Sequence, residues 1–156
     1  MKKLLCSFII LAAVLYSIAA QDIDSSKLVF YQKNDVSRYQ FIQNGIPLTN
    51  ERAAEVFSDC PYNEKIIPLY KVSQKTGEVL STSGMSLVAG MSVFYFVTTL
   101  SGRAEDFKDI QLYGALTGGI MFVSGVLSLQ TGLMRLKTAQ KNYNLYIMGI
   151  PAAQIW

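Results

Sequence analysis

The sequence predicts a mainly α membrane protein: an antiparallel two-helix transmembrane hairpin extended by a helical stalk, with a small N-terminal β-hairpin and a short helix. Three observations carry this. Residues 79–100 and 112–134 are apolar and hold no charged side chain, and each is long enough to cross a hydrocarbon core of ~30 Å, which takes about 20 helical residues. Between them SGRAEDFKDIQ, residues 101–111, is short and charged, and so short a connection makes its two helices antiparallel neighbours. Only 16% of the residues are charged, against roughly 25% in a soluble domain. A chain of 156 residues could hardly cover two apolar helices on all sides, which sets aside a buried hairpin in a soluble protein.

The chain opens with MKKLLCSFIILAAVLYSIAAQD. Lys2 and Lys3 form a basic region, Leu4 to Tyr16 an apolar one, and Ser17-Ile18-Ala19-Ala20 a small-residue exit, which is the layout of a secretory signal peptide over residues 1–20. Cleavage after Ala19 or after Ala20 fits that exit. An uncleaved anchor is the alternative. Cys6 precedes the apolar run, so the lipoprotein arrangement does not apply. Once the leader is removed Cys60 is the remaining cysteine. It has no internal disulfide partner and reads as a small buried hydrophobe.

Residues 21–60 form the next segment. KLVFYQ is a strand candidate, and Asn44-Gly45 between apolar-rich stretches is the strongest short hairpin signal. Thr49 or Asn50 then caps a short helix, ERAAEVFSDC, ended by Pro61. A small β-hairpin with one short helix is too little to fold firmly alone, and it is expected to lean on the helical stalk. Residues 61–78 read as a juxtamembrane helix with Tyr62, Ile66, Leu69, Ser73 and Thr76 at helical spacing. Pro68 stands against an unbroken helix there. After the second span, residues 135–156 read as an amphipathic helical tail. Leu133, Leu136, Tyr143 and Ile147 share one side, and Gly149 and Pro151 mark the stop. This tail and the 61–78 helix pair as the stalk.

The second span holds five glycines, costly for a helix in water. Gly114, Gly118, Gly125 and Gly132 fall on one face with Met121 and Ser128 between them, and Thr117, Ser124 and Thr131 lie beside it. Leu116, Ile120, Phe122, Val123, Leu127 and Leu129 make the opposite, lipid-suited side. Helices in a bilayer associate by packing, which small residues allow by letting backbones approach. The surface expected to receive this face on the first span is Ser83, Ser86, Ala89 and Gly90. The two small faces then close the hairpin, and surplus glycines leave room for a second subunit. The helix-packing residues are therefore Gly114, Gly118, Gly125, Gly132, Ser86, Gly90, Ser124 and Ser128.

Chemistry is sparse. The chain has no histidine, and so lacks the commonest general base and metal ligand. Glu51 and Glu55 sit one turn apart beside Arg52, as a solvated helix face does. Asp22 and Asp24 lie near the new N-terminus. Asp59 beside Cys60 has no base to complete a nucleophile. There is no metal-ligand cluster, no phosphate loop after a strand, and no cofactor is implied. Neither span carries an ionisable group of the kind that marks a proton path. The net charge of +3 depends on Lys2 and Lys3, so it points to no nucleic acid and no acidic partner. The partners indicated are membrane lipid and either a second copy or another membrane protein. No small-molecule substrate is evident.

The order of parts resembles a loose group of uncharacterised small envelope proteins of Gram-negative bacteria. The likeness covers residues 41–146. It rests on Asn44-Gly45-x-x-Leu48-Thr49, the helix after it, the glycine-rich two-span hairpin and Ala139-x-x-x-Tyr143-Asn144. It implies the architecture only and no activity; the bacterial cell-envelope address follows from the short leader. The expected function is that of a non-catalytic anchor or assembly component. The alternatives are a subunit of an oligomeric pore or transporter, lined by hydroxyls such as Thr117, Ser124 and Ser128, and an envelope immunity or stress protein. The leader directs residues 21–78 to the periplasmic side of the inner membrane. The basic residues Lys71, Lys75, Arg135, Lys137 and Lys141 favour the opposite orientation by the positive-inside rule, and the leader, as the first element, is followed.

Overall fold

The computed structural model describes residues 25–33 and 39–150. The leader, Asp22, Asp24 and Pro151 lie outside the described residues. Among the described residues three strands, β1 (Val29–Lys33), β2 (Tyr39–Gln43) and β3 (Ile46–Leu48), precede three helices, α1 (Asn50–Ser58), α2 (Ile66–Leu100) and α3 (Lys108–Ile147). The fold is mostly helical. It divides into two units: one holds the described residues up to Asn63 together with those from Ala139 onward, the other Glu64–Thr138.

The first unit is built on an antiparallel sheet in the order β1-β2-β3, with Tyr31 opposite Phe41 and Phe41 opposite Leu48. The expected hairpin is thus the second half of a three-stranded sheet. Its turn places Asn44 at φ 49 and Gly45 at φ 75, the two positive values a type I′ turn needs. The Thr49 hydroxyl then accepts the Arg52 backbone N–H at 3.2 Å, which caps α1. Helix α1 buries Ala53, Ala54 and Phe57. Inward residues of β1 and β2 supply Val29 and Phe41, both fully buried. The aromatic rings form a continuous run: Tyr31 to Phe41 at 4.8 Å, Phe41 to Phe57 at 5.5 Å and Phe57 to Tyr143 at 5.6 Å between centroids. Such tilted and edge-on pairs add to the burial of the rings themselves.

The second unit is a helical hairpin. Both helices are long and apolar enough to cross a membrane by length and composition. Helix α2 runs through 78–79 without a break, and α3 through 134–135, so each expected span and its extension form one helix. Pro68 does not interrupt α2. It is the third residue of the helix, in the first turn, where a backbone N–H has no intrahelical acceptor to lose. The end of α2 is a Schellman cap: Gly102 has φ 69, its N–H reaches the Thr99 carbonyl at 3.1 Å, and the Arg103 N–H reaches that of Thr98 at 2.8 Å. A 3-10 turn, Glu105–Phe107, leads into α3. Phe107 stands edge-on to Phe94 at 5.4 Å, and Gln111 donates to the Thr98 hydroxyl at 2.7 Å, tying the two helices together at the connection.

Candidate functional site

The feature with the most specific geometry is the seam between α2 and α3. Its residues recur every seven positions: Tyr70, Gly77, Gly84, Met91 and Thr98 on α2, and Gly118, Gly125 and Gly132 on α3. A seven-residue repeat keeps one stripe of a helix turned towards its partner when the pair supercoils left-handedly. The contacts run antiparallel, Gly77 against Gly125 and Leu129, Gly84 against Gly118 and Phe122, and Gly114 against Met91.

Approach at this seam is backbone to backbone. A Cβ added at Gly84 would collide with the Phe122 nitrogen and stand 2.6 Å from the Gly118 oxygen. One added at Gly125 would collide with the Ser81 nitrogen and stand 2.8 Å from the Gly77 oxygen. At Gly118 it would lie 2.9 Å from the Gly84 oxygen. Only glycine permits this spacing. The pressure eases towards both ends. At Gly114 the obstruction is the flexible Met91 side chain, and at Gly132 the nearest atom is Ser73 Cβ at an ordinary 3.4 Å. From Gly125 towards the end of the unit the seam turns polar. Ser128 donates to the Ser73 carbonyl at 2.9 Å, and the Arg135 guanidinium donates to the Leu69 carbonyl at 2.8 Å and to the Ser73 hydroxyl.

The structure brings Gly114, Gly118, Gly125, Gly132 and Ser128 into this seam, with Met121 half-buried on the same face. It does not bring Ser86, Gly90 or Ser124 there. Ser83, Ser86, Ala89, Gly90 and Ser124 are exposed, and nothing lies within 4 Å of a Cβ placed at Gly90. The α2 surface that meets α3 is instead Gly77, Ser81, Gly84 and Val88. Small residues occur on both faces of α2, so their presence alone did not select the right one. Leu129, expected on the lipid side, packs against Gly77. The juxtamembrane face is shifted as well: Ile67, Tyr70, Ser73 and Gly77 are buried, while Tyr62 and Leu69 are exposed. An open groove along the outer side of α3 is lined by Ala115, Gly119 and Ser124 among others.

A second polar cluster lies within the first unit. Asn63 is fully buried. Its amide donates to the carbonyls of Phe57 at 3.0 Å and Ala139 at 2.9 Å, and its oxygen accepts from Asn142 at 3.1 Å. Asn144 accepts the Val29 N–H at 3.0 Å and donates to the Val29 carbonyl at 2.7 Å, and Gln140 donates to the same carbonyl at 2.6 Å. Asn144 and Gln140 thereby satisfy the open edge of β1 at Val29 as another strand would. Every hydrogen bond named here serves packing, and sequence reasoning had singled out none of Asn63, Gln140 or Asn142. Cys60 is buried, and burial raises its thiol pKa above the ordinary value, which leaves it a poor nucleophile. Glu55 pairs with Arg52 at 2.6 Å on an exposed helix face. Among the described residues no three His, Cys, Asp or Glu side chains gather as a metal site. No known protein family matches the chain, and no curated protein or solved structure does either.

Proposed function

We propose that the chain is a non-catalytic integral membrane protein. In this reading the α2–α3 hairpin spans the bilayer as an anchor, and the sheet-containing unit is the part offered to a partner. The observation that carries the reading is an inverted distribution of side chains. The hairpin buries glycine, serine and threonine, while Val93, Phe96, Ile120, Val123 and Leu127 are each more than half exposed. Only 11% of each apolar window is buried within the fold. In water so large an apolar surface would have to be covered; in lipid it is the expected exterior, with small residues between helices. Outward hydroxyls agree. Those of Ser92, Thr99 and Thr131 turn back onto carbonyls of their own helix at 2.8–2.9 Å, as a polar group without water must.

The assembly part of the reading rests on Ser86, Gly90 and Gly119, small residues that the hairpin itself does not use. The leader-like first twenty residues favour a bacterial inner membrane. The test is alkaline carbonate extraction of membranes, combined with a photoreactive side chain at position 119 in intact cells. Retention in the pellet with crosslinks from 119 to a second protein or a second copy is the expected result. Release into the supernatant would remove the membrane reading, and crosslinks to lipid alone would remove assembly.

A further inference from the structure

The two ends of the hairpin differ in charge and in how that charge is used. At the connecting end, Arg103 pairs with Asp106 at 3.4 Å and Lys108 with Glu105 at 3.9 Å, so its cations already have partners. The sequence around the other end holds Lys65, Lys71, Lys75 and Arg135 but only two acids on α2 and just before it, Glu64 and Glu78. Among the described residues no ion pair engages Lys71, Lys75 or Arg135. These cations follow directly on the apolar stretches. Arg135 comes immediately after Met134, and Lys75 and Lys71 precede Val79 by about one and two helical turns at ~1.5 Å per residue. With a headgroup layer of ~5–7 Å on each side of the core, Arg135 and Lys75 lie within it, and the flexible Lys71 side chain reaches back to it from outside.

Arg135 is also held in place. The Leu69 carbonyl and the Ser73 hydroxyl both bind one guanidinium nitrogen, and Ser73 is itself fixed by Ser128 through its carbonyl. A guanidinium has five N–H donors in a rigid fork suited to phosphate. The two bonds use one corner of that fork, and the rest stays open at the helix surface. Lys71 and Lys75 are exposed one turn apart on α2.

We propose that this end of the hairpin binds the headgroups of acidic phospholipids, with Arg135 as the positioned phosphate ligand and Lys71 and Lys75 as flanking charges. The proposal rests on the membrane reading above and adds a ligand to it. Each basic residue at an acidic membrane surface contributes roughly fivefold in affinity, so removing all three should lower binding on the order of a hundredfold.

The experiment uses the full chain in mild detergent, titrated with phosphatidylglycerol or phosphatidylcholine of matched acyl chains and read by native mass spectrometry. The expected result is preferential retention of phosphatidylglycerol. That preference should fall in Lys71→Gln/Lys75→Gln, which touches no packed side chain, and fall further when Arg135→Gln is added. It should persist in Arg103→Gln/Lys108→Gln. Equal retention of both lipids, or an unchanged preference in the triple variant, would overturn the proposal while leaving the hairpin in the membrane. Release of the chain by alkaline carbonate would overturn both readings together.

Discussion

Substituting the seam glycines with alanine should produce a graded response set by backbone distance rather than by burial or residue type. At Gly84 the added methyl meets the Phe122 nitrogen, its Cα at 2.9 Å and the Gly118 oxygen at 2.6 Å. All are backbone atoms of the opposing helix, which cannot swing away as a side chain can. Restoring ordinary contact requires the helices to part locally by about 1 Å, and a gap of that order forfeits a quarter to a half of each neighbouring dispersion contact. With the strain of overpacking, the expected cost of Gly84→Ala is about 2–3 kcal/mol. Gly125→Ala should match it, since the Ser81 backbone obstructs in the same way. Gly132→Ala should cost less than about 0.5 kcal/mol, because its added methyl makes ordinary contact. Gly90→Ala and Gly119→Ala, with nothing within 4 Å, should be neutral for the hairpin. The assay is reversible unfolding of the full chain in mixed micelles by increasing dodecyl sulfate, followed by circular dichroism, together with an intrachain crosslink across the seam. Equal midpoints for Gly84→Ala and Gly119→Ala would refute the reasoning.

In the same assay Gly118→Leu should open the hairpin, because the leucine would be driven into Val88 and the Gly84 backbone; an unchanged midpoint and crosslink would count against the seam as described. Asn63→Leu should cost about 2–3 kcal/mol, since the Phe57 and Ala139 carbonyls and the Asn142 amide would each lose a buried partner. Asn144→Ala should loosen β1 first, and hydrogen exchange at the Val29 amide, which Asn144 protects, should quicken more than exchange in α1. Alkaline pH should weaken the sheet-containing unit. Burial raises the Cys60 thiol, and burial followed by the Asp59 charge raises the Tyr143 phenol. Both groups are neutral when protonated, so the unfolded chain gives up these protons at lower pH than the folded one. The stability they contribute is full below pH about 9 and is lost as pH rises through the raised values. Cys60→Ala should remove the first part of that loss, and a pH-stability curve unaltered between pH 8 and 11 would contradict it.

The parts of the fold most legible in the sequence are those with local chemistry. Asn44-Gly45 requires a turn with two positive φ values, and Thr49 offers an oxygen at the start of an apolar helical pattern. Both act on neighbours three or fewer residues away, so sequence order reports them directly. The glycine face of α3 was legible for a related reason, since Gly118, Gly125 and Gly132 line up at a fixed spacing opposite the bulky Leu116, Ile120, Val123 and Leu127. On α2 hydroxyls and glycines are spread around the circumference, and the choice between Gly90 and Gly84 depends on α3, which local spacing cannot see. A signal did exist: Tyr70, Gly77, Gly84, Met91 and Thr98 repeat every seven residues in step with Gly118, Gly125 and Gly132. Ser83 and Gly90 are also seven apart, so the repeat narrows the choice on α2 without deciding it. The Asn63 and Asn144 networks were hidden because the contacts that join distant parts of the chain, to the Ala139 carbonyl and to the Val29 backbone, are with backbone groups more than seventy residues away, and backbone atoms leave no mark in a sequence.

That distinction bears on the motifs behind the resemblance. Asn44-Gly45 and Leu48-Thr49 make the β2–β3 turn, the last strand and the helix cap. Ala139 offers its carbonyl to Asn63, Tyr143 packs its ring on Phe57, and Asn144 closes the edge of β1. The two short motifs, almost a hundred residues apart, therefore build one unit. Neither could keep its form without the other, because a three-stranded sheet this small has too little apolar surface to stand alone and the end of α3 would expose Ala139 and Tyr143. A substitution at Asn144 should consequently be felt at the Asn44-Gly45 turn, where β2 loses the support of β1. Hydrogen exchange at the Ile46 amide reads this coupling. Faster exchange there in Asn144→Ala, with the seam amides of α2 unchanged, is the outcome that two separately cohering units require. Equal acceleration in both would mean that they unfold as one.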